Sequence, residues 1–126
     1  MIEDLLEYLL NLPALQALVG SRIYPLMLPQ RATLPAIRYQ RISTLQEAAH
    51  DGPGPRESRW QFSVHAGSYA SADGAARALR AALDCRRFGP QRTTFLANDL
   101  DDYDAETEQF IRHVDVMVWE ATGDSG

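Results

Sequence analysis

The sequence predicts an α+β domain, an antiparallel sheet of about four strands with two main helices packed on one face. Three observations predict it. Between Arg56 and Ala66, Trp60, Phe62, Val64 and Ala66 alternate with Arg59, Gln61, Ser63 and His65, the two-residue period of a strand with one buried face. In the stretch SYASADGAARALRAALDCRRF, the residues Ala72, Ala75, Ala76, Leu79, Ala82 and Leu83 fall on one helical stripe. Along the chain the patterns run helix, strand, strand, helix, strand, strand. A length of 126 residues fits one domain with one modest core, so residues 1–126 are read as a single unit whose small polar tail, 121–126, frays.

Each element has its own signal. Ile2, Leu5, Leu6, Leu9 and Leu10 form a helical stripe, with Glu3, Asp4 and Glu7 off that face and near the positive end of the helix dipole. Pro13 suits the first position of a second short helix carrying Leu15, Leu18 and Val19, and Gly20 is placed to end it in a left-handed cap. Three prolines, Pro25, Pro29 and Pro35, then forbid a helix and predict an extended arm from Arg22 to Pro35. Ala36 to Ser43 alternates as a first strand, and the turn formers of Asp51 to Pro55 predict a long hairpin loop from Thr44 to Pro55 with a mobile tip. After the second strand Ser71 is available to cap the alanine-rich helix, whose small side chains let it lie close to a sheet. Gly89 and Pro90 mark a turn, Thr93 to Leu96 a third strand and Phe110 to Trp119 a fourth. That last strand is apolar on both sides: Phe110, Val114, Val116 and Val118 on one, Ile111, Met117 and Trp119 on the other beside His113 and Asp115. Covering the second set requires either another element of the chain or a partner subunit.

Composition narrows the function classes. Hydrophobic residues make up 45% and charged residues 23%, the balance of an ordinary folded domain. No apolar run approaches the roughly 20 residues of a membrane span, and the acidic start is unlike a secretory signal, so a cytoplasmic site of synthesis and no membrane partner are expected. The net charge of −5, from 17 acidic and 12 basic residues, argues against non-specific DNA binding. All 12 basic residues are arginine, a bias attributed to coding composition. Cys85 is the only cysteine, so no internal disulfide forms, and it is expected as a small half-buried side chain.

No catalytic motif stands out, and no cofactor or metal is called for. The run NDLDDYDAETE places Asp99, Asp101, Asp102, Asp104, Glu106 and Glu108 between the third and fourth strands. It lacks the glycine and terminal glutamate spacing of a calcium-binding EF-hand, so it reads as a solvated loop, with Asp99, Asp101, Asp102 and Asp104 as a candidate docking surface for basic groups of a partner. His113 and Asp115 share a strand face and His65 lies on another strand, which would suit a metal pair or general base, but no third ligand is evident and a polar outer face explains them more simply. His50 beside Asp51 in the hairpin loop is read the same way. Neither a nucleophile elbow nor a phosphate-binding glycine pattern occurs, so an enzyme is not expected, a small hydrolase using His113 and Asp115 being the remote alternative. Arg38, Arg41, Arg56 and Arg59, with Tyr39 among them, are read as surface or interface residues.

The order of motifs resembles a known family. Ala-Leu-Val-Gly at Ala17 to Gly20, Arg-Ile-Tyr-Pro at Arg22 to Pro25, Leu-Pro-Gln at Leu28 to Gln30 and Leu-Pro-Ala-Ile-Arg-Tyr-Gln-Arg-Ile-Ser ending at Ser43 come first. A glycine-rich loop, the pair Ser68 and Tyr69, the alanine-rich helix and a closing Val-Asp-Val-Met-Val-Trp strand follow. Together they are similar to the tail completion, or tail-to-head joining, proteins of long-tailed bacteriophages and prophages. The resemblance implies a structural virion protein without enzymatic activity. Family members form rings, typically of six subunits, on the head-proximal end of the tail tube, stop its growth and meet the head connector or neck proteins, with DNA passing through as cargo. A head-completion or stopper protein of the neck is the nearest alternative. In such a ring, Arg22, Ile23, Tyr24, Pro25, Pro29 and Gln30 of the arm and Ile111, Met117 and Trp119 of the last strand are the candidate interface residues.

Overall fold

The computed structural model describes residues 2–49, 52–88 and 92–121. Three helices, α1 (Ile2–Leu10), α2 (Pro13–Val19) and α3 (Tyr69–Leu83), pack on a six-stranded sheet. Its strands are β1 (Ile23–Pro25), β2 (Ala36–Ala49), β3 (Gly52–Ala66), β4 (Arg86–Phe88), β5 (Arg92–Asp104) and β6 (Gln109–Glu120), in the spatial order β1-β2-β3-β6-β5-β4. The α+β class and the helix-bearing face agree with expectation, and the strand count does not. The four long strands are antiparallel to their neighbours, but β1 runs parallel to β2, with Ile23, Tyr24 and Pro25 opposite Ile37, Arg38 and Tyr39.

Burial follows the sequence pattern closely. Leu5 and Leu9 of α1, Leu15 and Val19 of α2 and the full stripe of α3 meet Ile37, Phe62, Val64, Val114, Val116 and Val118 of the sheet. Pro13 opens α2, and Gly20 ends it at φ 59° and ψ −124°, a positive-φ conformation that glycine adopts without strain, outside the expected left-handed helical one, while its N–H closes on the Gln16 carbonyl. The cap of α3 is Ser68 rather than Ser71. Ser68 is extended and its Oγ accepts from the Ser71 N–H, so the helix starts one turn earlier than the apolar stripe suggested. Two polar ties complete the helix layer: the Arg86 guanidinium lies 4.8 Å over the Tyr8 ring, and Arg92 joins Asp4 of α1 to Glu120 of β6.

Three segments expected as arm or loop are more ordered than that. The arm starts as β1: the Ile37 N–H donates to the Arg22 carbonyl and the Leu26 N–H to the Tyr39 carbonyl. Alternation between those two bonds turns the nitrogen of Pro25 away from β2, where a missing donor is tolerated. Beyond β1 the chain folds back at Leu26 and Arg31, both with positive φ, to a cis Leu34–Pro35 bond, and Arg22 Nε reaches the Pro35 carbonyl at 3.0 Å. The arm is therefore a closed excursion and not a straight projection.

The stretch from Thr44 to Pro55 is not a long loop either, since β2 and β3 pair as far as Ala49 opposite Gly52, with bulges after Arg41 and Gln46. Pro53 and Pro55 fit a strand here because β6 pairs with β3 only as far as Arg56 opposite Glu120. The predicted tip at His50 and Asp51, the turn at Gly89 and Pro90 and the tail beyond Ala121 lie outside the described residues. Likewise the run from Asp99 to Asp104 is the second half of β5, paired with β6 from Val114 back to Gln109.

Phe62 is fully buried where β3 meets the helices, whereas Leu18 is 40% exposed. Phe62→Ala should lower the unfolding free energy by about 3–5 kcal/mol, and Leu18→Ala by well under half of that, as read from urea midpoints.

Candidate functional site

All helices cover one face of the sheet, so chemistry available to a partner lies on the other face and at the strand edges. On the helix-free face, register places side chains in rows from β2 through β3 and β6 to β5. One row holds Leu45, Glu57, Trp119 and Thr93, and the next holds Ser43, Arg59, Met117 and Phe95. Below them come Gln40, Gln61, Asp115 and Asn98, then Arg38, Ser63, His113 and Leu100, then Ala36, His65, Ile111 and Asp102. The face thus divides into an apolar end and a polar end.

The apolar end answers half of the question posed by the last strand. Ile111 is only 7% exposed and already covered by the chain, whereas Trp119 is 36% and Phe95 37% exposed, and Leu45 and Leu100 are exposed too. Met117 sits half-buried between Arg59 and Phe95. Of the arm candidates, Arg22 is tethered to the Pro35 and Leu18 carbonyls, Ile23 packs against the core and Tyr24 is half-buried. Pro25, Pro29 and Gln30 are exposed, as are Leu26 and Met27, which sequence reading passed over.

The buried groups of the polar end are stitched together. Asp115, nearly buried, accepts from Arg59 Nη2 at 2.8 Å and from Gln61 Nε2 at 3.0 Å. His113 does not pair with Asp115. Its Nδ1 lies 2.8 Å from Ser63 Oγ and its Nε2 3.1 Å from Asp102 Oδ2. An ionised carboxylate only accepts, so Nε2 carries a proton, and in the neutral ring Nδ1 accepts from the serine hydroxyl. The His113 contact, first, and the Tyr103 N–H hold the Asp102 carboxyl below the usual range. A serine, histidine and aspartate in one chain also occur in hydrolases, but nucleophilic catalysis needs an accessible hydroxyl and free amide donors for an oxyanion. Ser63 is 1% exposed in mid-strand, with β2 and β6 pairing on either side. The arrangement is a polar tie across three strands.

His65 belongs to a separate set. Arg38 Nε donates to its Nε2 at 2.8 Å, which leaves the proton on Nδ1 facing Gln109 Oε1 at 2.9 Å. Protonating Nε2 would destroy the first bond and set two cations together. Burial, first, and the Arg38 charge hold this imidazole below its ordinary range, against the Gln109 bond. The pair lines an open cavity of about 500 Å³ beneath the arm, with Leu26, Met27, Arg31 and Gln109. The four arginines read as surface or interface residues are dispersed: Arg38 is on His65, Arg59 on Asp115, Arg56 on Glu120 across the helix-bearing side, and Arg41 is exposed.

The acidic segment is also engaged internally. On the helix-bearing side, Arg112 of β6 takes Asp99 with two nitrogens, Asp73 of α3 at 2.8 Å and Asp101 at 3.4 Å. Asp99, first, keeps the guanidinium firmly protonated, and Arg112 in turn holds the Asp73 carboxyl low. Tyr69, the first residue of α3, donates to Asp101 Oδ2 at 3.1 Å, and Asp104 Oδ1 accepts from the Glu106 N–H. The four candidate docking carboxylates therefore carry structural bonds. Cys85 departs from expectation as well: it follows the cap of α3 with φ 52° and is exposed, and the Asp84 charge beside it pushes its thiol up.

A family model described as tail completion protein gp17 matches residues 3–121. The chain belongs to this family. Membership makes it a structural tail protein of the phage type, as the motif order implied. Among solved structures, a chain from the "Virion of native gene transfer agent (GTA) particle" superposes with a TM-score of 0.66 at 18% identity, covering 92% of this chain and 89% of that one. At that identity the likeness is one of fold. No curated protein matches the tail completion chain.

Two outcomes follow from the polar ties. Because the folded pKa of His65 is lowered, the unfolded chain binds a proton that the folded one refuses, so its contribution is full above about pH 6.5 and declines as pH falls below that. His65→Gln should flatten the stability difference between pH 7.5 and pH 5.5 in urea titrations. Arg112→Ala, which strands carboxylates in a confined site, should remove about 1.5–3 kcal/mol, whereas Arg77→Ala, which breaks a mostly exposed helix pair, should change stability by less than about 0.5 kcal/mol.

Proposed function

We propose that this tail completion protein closes the head-proximal end of a phage-type tail tube as a homo-oligomeric ring, six subunits by family resemblance, and presents a surface to the head connector or neck proteins while DNA passes through. The observation that carries the reading is family membership over residues 3–121 together with a sheet face whose one end leaves Trp119, Phe95 and Leu45 exposed. Side chains of that size gain roughly 1.5–3 kcal/mol each on full burial, which favours a partner surface there. A subunit contact needs roughly 800 Å² on each side, more than this patch supplies, so the exposed arm residues Pro25, Leu26, Met27, Pro29 and Gln30 are assigned to the same interface. The tail tube protein is the second partner, assembly takes place in the bacterial cytoplasm, and the net charge of −5 keeps DNA a passing cargo that the ring does not grip.

The test is assembly on tail tubes purified without heads. Electron microscopy should show the added chain capping one end of each tube, and Trp119→Asp should reduce capping at least tenfold while leaving the melting temperature within a few degrees. Tubes that stay uncapped at saturating protein, or capping only of the head connector, would refute it.

A further inference from the structure

Two strands of the sheet are only partly flanked. β1 pairs with β2 at Ile37–Tyr39, so the outward side of β2 from Gln40 to Ala49 has no strand beside it among the described residues. β4 pairs with β5 at Arg92–Thr94, so β5 is equally unflanked from Phe95 to Asp104. Both free stretches are ten residues long, and they lie on opposite edges of the sheet. Such rows of unpaired N–H and C=O groups are templates for another chain unless they are blunted.

The two edges also match in direction and face. The four long strands alternate in direction, so β5 of one copy placed beside β2 of the next continues the antiparallel order. Full overlap of the two ten-residue stretches puts Asp104 opposite Gln40, both on the helix-free side, and Tyr103 opposite Arg41, both on the helix-bearing side, so the helices stay on one face. Past the bulge at Ile42, this register brings Asp101 beside Thr44 and Leu100 beside Leu45. Leu45 is 63% and Leu100 43% exposed, two apolar side chains on opposite edges that nothing within one copy covers.

The same register meets the condition for closing a ring. Within one copy Gln40 is level with Asn98, but between copies it lies opposite Asp104, a stagger of six residues. That is about 20 Å along the strands for about 19 Å across four of them, a tilt of about 45°, which is the range in which sheets close into barrels. We propose that the free edge of β5 pairs antiparallel with the free edge of β2 in a second copy, Leu100 against Leu45, so that the ring is held by one continuous sheet. This rests on the tail completion reading and specifies the contact between its subunits.

The experiment uses Leu45→Cys and Leu100→Cys together in a Cys85→Ser background, assembled on tail tubes and oxidised. Most of the chain should run as a disulfide ladder on a denaturing gel. Either cysteine alone, or Leu45→Cys combined with Tyr103→Cys on the wrong face, should give none. Rings that form on the tubes but yield no ladder, or a ladder as strong with Tyr103→Cys, overturn the edge pairing and leave tail completion standing. Failure of the unsubstituted chain to form rings on the tubes overturns that reading, and the pairing with it.

Discussion

An aspartate-rich strand is tolerated in this fold because arginines bind its carboxylates, Arg112 foremost and Arg80 of α3 beside it on Asp99. Asp99 and Asp101 point to the helix-bearing side of β5, where like charges two residues apart would repel and where carboxylates would face the core. Arg112, opposite Asp101 on β6, spans both and reaches Asp73 on the first turns of α3. Its side chain is 12% and that of Asp99 18% exposed, so this pair is mostly withdrawn from water and its bonds are stronger for it, while Asp101 stays more than half in solvent. The consequence extends past the charges: β5 continues to Asp104, β6 has a neighbour along its whole length, and the N-terminus of α3 is anchored over the sheet.

With the acidic strand in place, the helix-free face becomes a designed mixture of closed and open chemistry. At one end the buried polar groups are taken up by neighbours across the strands, and no buried side-chain nitrogen or oxygen among the described residues is left without a partner. At the other end large apolar groups remain in water. A monomer has little to gain from such an arrangement, whereas a subunit in an assembly gains twice, since the stitched half resists deformation while the open half supplies binding energy. The tail completion family supplies the context in which a chain of this size works in company.

The parts of this fold that follow from local pattern were legible in the sequence. The apolar stripe of α3, the alternation at Trp60 to Ala66 and the double-sided β6 all appear where their periods put them. The misreadings share a cause, which is that composition was allowed to speak where pairing decides. Asp99 to Asp104 looked like a solvated loop because Arg112 is distant in sequence, and Gly52 to Pro55 looked like a turn because the lack of a third strand beside it cannot be seen from residue types. The His113 set shows the same limit: Ser63 and Asp102 are eligible by face, but only register selects them over Asp115. Ser68 was recoverable, since a serine three residues before a free N–H is an ordinary cap signal.

Past the row of Arg56 and Glu120, β2 and β3 continue together without β6. A ribbon of two strands holds itself together weakly in water. Its twist is further set by the bulges after Arg41 and Gln46, which let it bend without disturbing the helices. Such an element acts mechanically as a compliant finger on a stiff hand: it can conform to a surface that is not an ideal match, and the energy of bending it is decoupled from the energy that keeps the domain folded.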